Sequence, residues 1–503
     1  MNLTFIFLVI LTFISRIIGL GREIALAYFY GASAVSDAYL ISQSIPTVIL
    51  GFVAAAIATS YIPLYRNLER VGGEGQFTNR VLHLVLVLSL AVFVFGMVFT
   101  PQLVPLFASG FDAPTTELTI SLTRLALGGV FFIGMTHLLQ GYMQVKEKVL
   151  LASLSGIPFN LVTILFIIAS YRTSVYLLAA GGVLAVAAQW LYLLLLARRQ
   201  GYQPRWLPSL KDPDIRQMIW LALPVMLASG VDQLDLLVDK TLASQYGPGG
   251  VSALSYAART LTAIQGIFVG SLLMVLYPKI AAQAAKADLG AMKKTLGESF
   301  VGISLFLIPV ITGVMLFSRP LVDILFGRGA FTETAAATTA SILFFYIFSL
   351  LGSGFQTILS RAFFSLQDTK TPMVLSALTV ILNIVLNLTI SRLIGITGLA
   401  LANSVASTIG MFLMFWALRR KIGRLGLGSF ARSLTKLVLA SAIMGGAARG
   451  VFGLLLPIDQ HLALLGAAVM GAGLYALLIL IMRIKEVEDL LFPLAGKIKD
   501  FLR

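Results

Sequence analysis

The feature that most constrains this chain is the recurrence of long apolar stretches. Fourteen windows of about 20 predominantly apolar residues can be placed along its 503 residues. A helix of that length crosses the roughly 30 Å hydrocarbon core of a bilayer and makes its backbone hydrogen bonds within itself. The windows predict an all-α polytopic membrane protein with about 14 transmembrane helices, at about 3–28, 38–65, 81–106, 119–143, 149–170, 174–197, 217–239, 251–277, 298–318, 335–360, 371–391, 395–418, 435–456 and 461–482.

The amount and placement of charge support this prediction. Charged residues make up 12% of the chain and the mean hydropathy is +0.93, whereas soluble domains are about 25% charged. A net charge of +15 would suggest nucleic acid in a soluble protein, but cytoplasmic loops of membrane proteins collect Lys and Arg. With the N-terminus inside, the inner connections and the tail hold 27 Lys and Arg, against about 8 in the outer connections. We therefore predict cytoplasmic termini and no nucleic-acid partner.

Several classes of active site are excluded by residue type. The chain has no cysteine, so it contains no disulfide, thiolate metal site or cysteine nucleophile. Its three histidines, His83, His137 and His461, are far apart in sequence. It has no G-x-x-x-x-G-K-[ST], H-E-x-x-H or G-x-S-x-G motif and no cytosolic domain that could bind ATP. These absences favour a transporter over an enzyme, and one that ATP does not drive directly.

The chain also contains an internal repeat of six spans. At an offset of 216, Ala27, Tyr30, Gly31, Val35, Ser36, Phe52 and Tyr61 match later residues, and further matches follow at offsets of 219 and 221. Because six is even, both copies have the same orientation, and a site is expected between them. The predicted organisation is an N-terminal lobe (1–200), a cytoplasmic linker (201–216), a C-terminal lobe (217–420), a basic connection (421–434) and two further spans with a cytoplasmic tail (435–503).

Arginines within predicted spans are the first candidate functional residues. An arginine at bilayer depth costs roughly 2.5 kcal/mol or more, so it faces a partner or a water-filled cavity. Arg16 and Arg259 lie within spans, and Arg22 lies near a span end. The guanidinium group suits phosphate or pyrophosphate. The alternative is structural ion pairing of Arg22 with Glu23 or Asp37.

Carboxylates and amides form a second group of candidates. Asp232, Asp235 and Asp239 lie at i, i+3 and i+7 on one face of the seventh span. Three asparagines lie in later spans: Asn383, Asn387 and Asn403. Their oxygens suit a hard cation such as Na⁺, or a carboxylate could carry a proton. The asparagines could equally hydrogen-bond neighbouring helices.

Two connections are unusual in composition. Residues 419–436 are strongly basic, which an ordinary positive-inside loop explains better than a specific lipid-headgroup site. Residues 281–297 have the composition of a short surface helix between the halves.

Several motifs together resemble a known family. The segments SRIIGLGRE, ALAYFYGAS, SDAY, GVSALSYAAR, LVDILFGRGAFT and ILSRAFFSLQDTKTPM are similar to those of the MurJ (MviN) lipid II flippases. This family belongs to the multidrug/oligosaccharidyl-lipid/polysaccharide exporter superfamily, and the similarity covers nearly the whole chain. It implies two six-helix lobes around a cationic cavity, with the last two helices forming a hydrophobic groove for a polyprenyl tail.

The resemblance also implies a function. Lipid II, the undecaprenyl-pyrophosphate-linked peptidoglycan precursor, would move to the outer leaflet of the bacterial inner membrane by alternating access. The residues that match charged cavity positions of the family are Arg16, Arg22, Asp37 and Arg259. Those near positions implicated in sodium binding in some members are Asp239, Asn383, Asn387 and Asn403. The second span departs from the pattern, because residues 45–63 carry neither the Arg nor the Glu that members often have there.

Alternatives remain open on sequence alone. A related lipid-linked oligosaccharide flippase would share the architecture. A cation-coupled multidrug antiporter is disfavoured because a cationic cavity repels cationic drugs. A non-transporting scaffold would have no use for intramembrane charges on matching repeats. We expect a monomer coupled to Na⁺ or H⁺.

Overall fold

The computed structural model describes residues 3–207, 212–426 and 428–482; the predicted tail at 483–503 lies outside them. These residues form eighteen α-helices: α1 (Leu3–Tyr30), α2 (Ala34–Ala56), α3 (Ile62–Glu69), α4 (Glu74–Phe107), α5 (Ala113–Ala126), α6 (Val130–Val145), α7 (Val149–Ser153), α8 (Gly156–Arg172), α9 (Tyr176–Arg199), α10 (Pro213–Ser244), α11 (Gly250–Ala285), α12 (Leu289–Leu325), α13 (Glu333–Tyr346), α14 (Ser349–Ser365), α15 (Lys370–Ile394), α16 (Thr397–Ile422), α17 (Gly428–Leu455) and α18 (Gln460–Met482).

The all-helical membrane architecture is confirmed, whereas the number of spans stays a prediction. Ten helical segments among the described residues are long and apolar enough to cross a membrane, or eleven if α13 and α14, which meet at 42°, count as one. The other predicted spans lie in α1, α10 and α11, which have 28, 32 and 36 residues and exceed the bilayer core in length. Some of their side chains fall outside the described part of the chain.

Contacts divide the described residues into two compact units. The first is the chain up to Tyr256 with Arg328–Ala335, in which α1 packs on α8, α8 on α9, and α2 on α5 and α10. The second is Ala257–Gly327 with the chain from Ala336 onward, in which α16 packs on α14 and α15, and α17 on α12 and α18. The predicted lobe boundaries follow the repeat rather than contact density, and they stay a prediction.

Local conformation repeats along the chain at offsets within the range of 216 to 221 found in the sequence. Gly31 and Gly247, 216 residues apart, both take a positive φ, of 65° and 88°. Glu147 and Gln367, 220 residues apart, have φ values of 59° and 58°. Helices α5 and α6 are separated by a 3₁₀ turn at Leu127–Gly129, and α13 and α14 break at the matching place. A duplicated backbone plan explains these pairs.

The described part of the predicted linker is strapped to α4. The side chain of Asn79 donates to the carbonyl oxygen of Gln203 and accepts from the backbone N–H of Arg205, each over 3.0 Å. Arg80 forms a 2.6 Å ion pair with Asp212. The linker is therefore fixed to the first unit on both sides of residues 208–211, which lie outside the description.

The prediction of a separate surface helix at 281–297 is wrong. Helix α11 runs to Ala285 and α12 begins at Leu289, so these residues are the ends of two long helices. Alanine-rich sequence prolongs α11 beyond the apolar window because alanine is the best helix former. Ala287, with φ 56°, makes the turn, and the Asp288 side chain accepts from the N–H of Ala291 to begin α12.

Candidate functional site

Helix α1 carries the two arginines of what we call the arginine segment, residues 15–23. Arg16 is exposed and forms no ion pair within the described residues. Ser15, its neighbour, is buried against α8, where a Cβ on Gly156 would lie 2.9 Å from the Ser15 hydroxyl. Close packing of one face of α1 on α8 thus leaves Arg16 on another face. This position suits the binding of an external anion.

Arg22 is held by its own neighbours. Its guanidinium Nη2 lies 2.5 Å from Oε1 of Glu23, whose side chain is only 5% exposed. The guanidinium carbon also lies 5.4 Å from the ring centroid of Phe159 on α8, a cation–π distance. The structural alternative raised by the sequence, pairing of Arg22 with Glu23, is therefore present. The other alternative was pairing of Arg22 with Asp37, but the Asp37 carboxylate accepts hydrogen bonds from other groups.

Asp37 is fully buried and caps another helix. One carboxylate oxygen accepts from the backbone N–H of Gly249 and the other from that of Ser252, each over 2.7 Å. These donors lie at the start of α11, where free N–H groups and the helix dipole favour a negative charge. The carboxylate thereby joins α2 to a segment more than 200 residues later in the chain. Its contact with substrate stays a prediction.

Two further contacts lie beside it. The Tyr256 hydroxyl donates to the carbonyl oxygen of Gly31 over 3.0 Å. The backbone N–H of Ala330 donates to the carbonyl oxygen of Tyr28 over 2.8 Å. The three connections involved were all predicted to lie outside the membrane on the same side. We call these contacts the Asp37 clamp; its residues are Tyr28, Gly31, Asp37, Gly249, Ser252, Tyr256 and Ala330.

Glycine makes the clamp sterically feasible. Gly249 has φ 92°, and a Cβ there would lie 2.6 Å from the carbonyl oxygen of Ala32. Gly329 has φ 66°, and a Cβ there would overlap the carbonyl oxygen of Tyr28. Only glycine allows backbones to approach this closely in that conformation. Sequence reasoning missed the clamp, although glycine-rich turns at 31 and 247–250 were visible signals.

The remaining predicted site residues are distributed between the units. Arg259 is exposed on α11 in the second unit and interacts with other residues. Asp239 is half-buried on α10 in the first unit, and the side chain of Asp232 lies outside the description. Asn403 is half-buried on α16. Among the described residues, no group of three or more His, Cys, Asp or Glu could hold a metal ion.

Asn383 and Asn387 lie on the buried stripe of α15. They are 3% and 0% exposed, and Ser391 continues the stripe one turn later. The i, i+4 spacing places all three on one face of a helix that packs on α16. This placement favours interhelical packing for the two asparagines. Their predicted role in sodium binding stays a prediction.

An apolar groove lies within the second unit. It has a volume of about 670 Å³, and its walls come from α12, α17 and α18 with Phe268 of α11. Representative lining residues are Phe306, Pro309, Gly471 and Ile479. The composition of the sequence alone did not reveal it; only the family resemblance implied a groove at the last two helices.

Curated relatives share one description. A family model described as "Lipid II flippase MurJ" matches residues 26–487. The chain is 28% identical over 485 residues to a probable lipid II flippase MurJ of Thermotoga maritima, covering 95% of this chain and 96% of the relative. It is 27% identical over 453 residues to a lipid II flippase MurJ of Burkholderia cenocepacia, covering 86% and 87%.

Solved structures show the same fold. A structure described as lipid II flippase MurJ in an inward closed conformation matches with a TM-score of 0.84 and 22% identity, covering 96% of this chain and 100% of that one. An inward-facing multidrug resistance MATE transporter of the MOP superfamily matches with a TM-score of 0.70 and 16% identity, covering 82% and 96%. At these identities the likeness establishes the architecture.

Proposed function

This chain belongs to the MurJ family of lipid II flippases, and we propose that it carries lipid II from the inner to the outer leaflet by alternating access. The assignment of lipid II as substrate rests on the family match over residues 26–487, and relatives of the same name that match over most of their length support it. The protein is a multi-pass inner-membrane transporter rather than an enzyme. Cytoplasmic termini and a monomeric state are parts of the proposal, supported by the Lys and Arg distribution and by the single-chain repeat.

The headgroup is assigned to the arginines. Arg16 supplies an exposed guanidinium whose planar donors match the oxygens of a pyrophosphate. Arg22 already shares its charge with Glu23, so it adds a positioned but partly neutralised cation. Arg259, exposed on α11, supplies the third. Because Arg16 and Arg259 are exposed, water hydrates their charges before the pyrophosphate binds and after it leaves, so neither charge is left buried without a partner.

The tail is assigned to the apolar groove. A polyprenyl chain carries no polar group, and the groove of α12, α17 and α18 is lined almost wholly by apolar side chains. Burial of apolar surface stabilises by about 25 cal/mol per Å² and needs no directional contact. The groove would therefore hold the tail without fixing its length. The headgroup and the tail would then be bound by different parts of the protein.

Alternating access requires a contact that can open, and we assign this role to the Asp37 clamp. Its four hydrogen bonds join connections that the charge distribution predicts to be outside, so the clamp would close the outer side. Opening exposes only the polar groups of a few residues, which water can satisfy. The clamp would break when the headgroup is released outward.

Energy would come from the membrane potential and an ion. The potential is worth about 2.3 kcal/mol per charge per 100 mV, and it favours outward movement of an anion from a negative interior. Inward movement of Na⁺ or H⁺ would reset the protein. Asp239, Asn383, Asn387 and Asn403 are the residues proposed for Na⁺.

A whole-cell assay of outer-leaflet lipid II tests the proposal. Cells depleted of their own flippase would express the full chain, Arg16→Ala, Arg259→Ala or Arg16→Lys, at matched levels in the membrane. We expect full activity for the full chain, loss for both Ala variants, and partial activity for Arg16→Lys, which keeps the charge but loses the planar fork. Retained activity in both Ala variants would defeat the arginine assignment, and accumulation of another lipid-linked sugar would indicate a related flippase.

A further inference from the structure

A basic pocket lies where α16 joins α17, apart from the residues assigned to lipid II. Its volume is about 660 Å³, within the range of small-ligand sites. It is lined by Phe415, Trp416, Arg419, Arg424, Leu425, Gly426 and Gly428. We propose that this pocket binds the phosphate headgroup of an anionic phospholipid of the surrounding membrane.

The charges of the pocket are available for a ligand. Arg419 and Arg424 are exposed, and neither forms an ion pair inside the described ranges. Another cation, Lys293, lies beside the same connection, since its Nζ would be 3.6 Å from a Cβ on Gly423. The carboxylate of Asp368 is already bound by Nζ of Lys421 at 2.5 Å. Two guanidinium groups on one cavity match the oxygens of a phosphodiester.

An aromatic residue places the pocket at membrane-surface depth. Trp416 is 52% exposed, and the guanidinium carbon of Arg420 lies 3.8 Å from its ring centroid. Tryptophan favours the headgroup region of bilayers, and a stacked arginine there reaches the water side. A ligand in this pocket would therefore have its phosphate beside the arginines and its acyl chains towards the lipid.

Arg424, Leu425 and Gly426 form the far wall of the pocket. Gly423 and Gly426 take positive φ values of 79° and 67°, which turns the chain sharply on both sides of Arg424. Leu425 between them is 8% exposed and so anchors the turn in the protein. On the α17 side, the ring of Phe430 packs 5.9 Å from that of Phe300. The turn at 423–426 is thus held in place before a ligand arrives, which lowers the cost of binding.

An ordinary positive-inside loop does not account for this arrangement. That rule explains the number of basic residues, and the negative end of the α16 dipole favours cations in its last turn. Neither effect requires Arg419 and Arg424, five residues apart across a turn, to line one cavity with two aromatic rings. Such convergence is typical of a site for a planar or tetrahedral anion.

Lipid titration of the purified full chain, followed by native mass spectrometry, tests the proposal. The probe is phosphatidylglycerol, with zwitterionic phosphatidylcholine as the comparison lipid. We expect Arg419→Gln with Arg424→Gln to weaken phosphatidylglycerol binding on the order of thirtyfold, because each juxtamembrane arginine contributes about one kcal/mol near an anionic surface. Equal binding of both lipids to the unmodified chain would overturn the proposal.

The repeat supplies a matched control. Arg198 and Arg199 end α9 at the position that Arg419 and Arg420 occupy in α16, and both are exposed. Arg198→Gln with Arg199→Gln removes the same charge, and we expect it to leave phosphatidylglycerol binding unchanged. An equal loss in both double variants would reduce the site to general surface charge and refute it. If the Gln pair fails to fold, Arg419→Lys with Arg424→Lys should weaken binding severalfold, whereas unchanged binding would contradict the assignment.

A competition arm distinguishes lipid from free phosphate. Excess inorganic phosphate at constant ionic strength should not displace phosphatidylglycerol if the acyl chains contribute to binding. Displacement at low concentration would identify a free-phosphate site and overturn the lipid proposal. None of these measurements uses lipid II transport, so their outcome is separate from that of the proposed function.

Discussion

The Asp37 clamp and the arginine segment of α1 differ in how their charged groups are satisfied. In the clamp, Asp37 is fully buried and both of its oxygens accept backbone hydrogen bonds. In the arginine segment, Arg22 is balanced by Glu23, while Arg16 is exposed and has no ion pair in the described structure. A charge satisfied by backbone N–H groups fixes the position of two helices. A charge left to solvent can bind a ligand that comes and goes.

The largest effect should come from breaking the Arg22–Glu23 pair. Arg22→Ala removes the ion pair of a carboxylate that is only 5% exposed, and we expect a loss of about 3 kcal/mol or more in the free energy of unfolding. Adding Glu23→Ala should recover much of this loss in free energy, because the buried carboxylate is then removed together with the arginine that pairs with it. Thermal unfolding in detergent measures both variants.

Transport by the double variant decides what Arg22 does. If Arg22 only holds the helix, restored stability should be accompanied by restored lipid II transport. If Arg22 also contacts the headgroup, as we propose, stability returns and transport does not. Full transport in the double variant would assign the whole headgroup contact within α1 to Arg16.

The next effect should come from opening the clamp. Asp37→Ala removes two hydrogen bonds to a charged acceptor, worth about 3 kcal/mol together, or roughly a hundredfold shift towards the open state. The chain has no cysteine, so Ala38→Cys, at a fully buried position, gives a single thiol for labelling. A membrane-impermeant maleimide added outside should label it faster in the Asp37→Ala background.

Asp112→Ala is the matched control for this labelling. Asp112 also accepts a backbone N–H at a helix start, that of Thr115, but only within its own helix. Its removal should leave labelling of Ala38→Cys unchanged. Equal acceleration by both substitutions would indicate general loosening and would break the comparison.

A smaller effect on the same assay should come from Tyr256→Phe. The substitution removes the hydroxyl that donates to Gly31 and keeps the ring that packs against Phe331 at 5.8 Å. One neutral hydrogen bond is worth about 1 kcal/mol, which corresponds to a roughly fivefold change in opening. Labelling as fast as in Asp37→Ala would show that the hydroxyl contributes as much to closure as the carboxylate, and would contradict this ranking.

The smallest effect should come from an ion pair outside both regions. The hydrogen bond from Lys421, with those from Thr371, lowers the pKa of Asp368 to about 2. Because the folded pKa lies below the unfolded value, this pair stabilises the protein above about pH 4, and the contribution is lost as the pH falls through 2. Lys421→Gln should cost only a few tenths of a kcal/mol at pH 7, since Lys421 is 39% exposed. Thermal unfolding across pH measures it; a pH-independent difference from the unmodified chain would contradict the ionic origin.

Different parts of the molecule were predictable to different degrees. The helical membrane fold followed from apolar windows, because the bilayer imposes one requirement on every span. The breaks at Leu127–Gly129 and between α13 and α14 did not follow, since apolar composition continues through them. The surface helix expected at 281–297 was wrong because composition does not show where one long helix ends and the next begins.

The candidate site was predictable by residue type and not by partner. Charged residues in apolar stretches were visible at once, and pairing of Arg22 with Glu23 was an alternative read from adjacency. The clamp was not visible, because the chain positions of Asp37 and Ser252 differ by 215 and nothing local relates them. The groove and the basic pocket depend on where α12, α17 and the 423–426 turn pack.

The sequence by itself determined that this protein lies in a membrane, is built of helices in two repeated halves, and belongs with the lipid II flippases. Those properties depend on apolar length, residue spacing and motifs, all of which are local in the chain. Only the tertiary structure decided that Asp37 caps α11 and that Arg22, unlike Arg16, has an ion pair among the described residues. The physical reason is that packing brings backbone groups from distant parts of the chain within hydrogen-bond distance of a charge, and these groups decide whether the charge is satisfied.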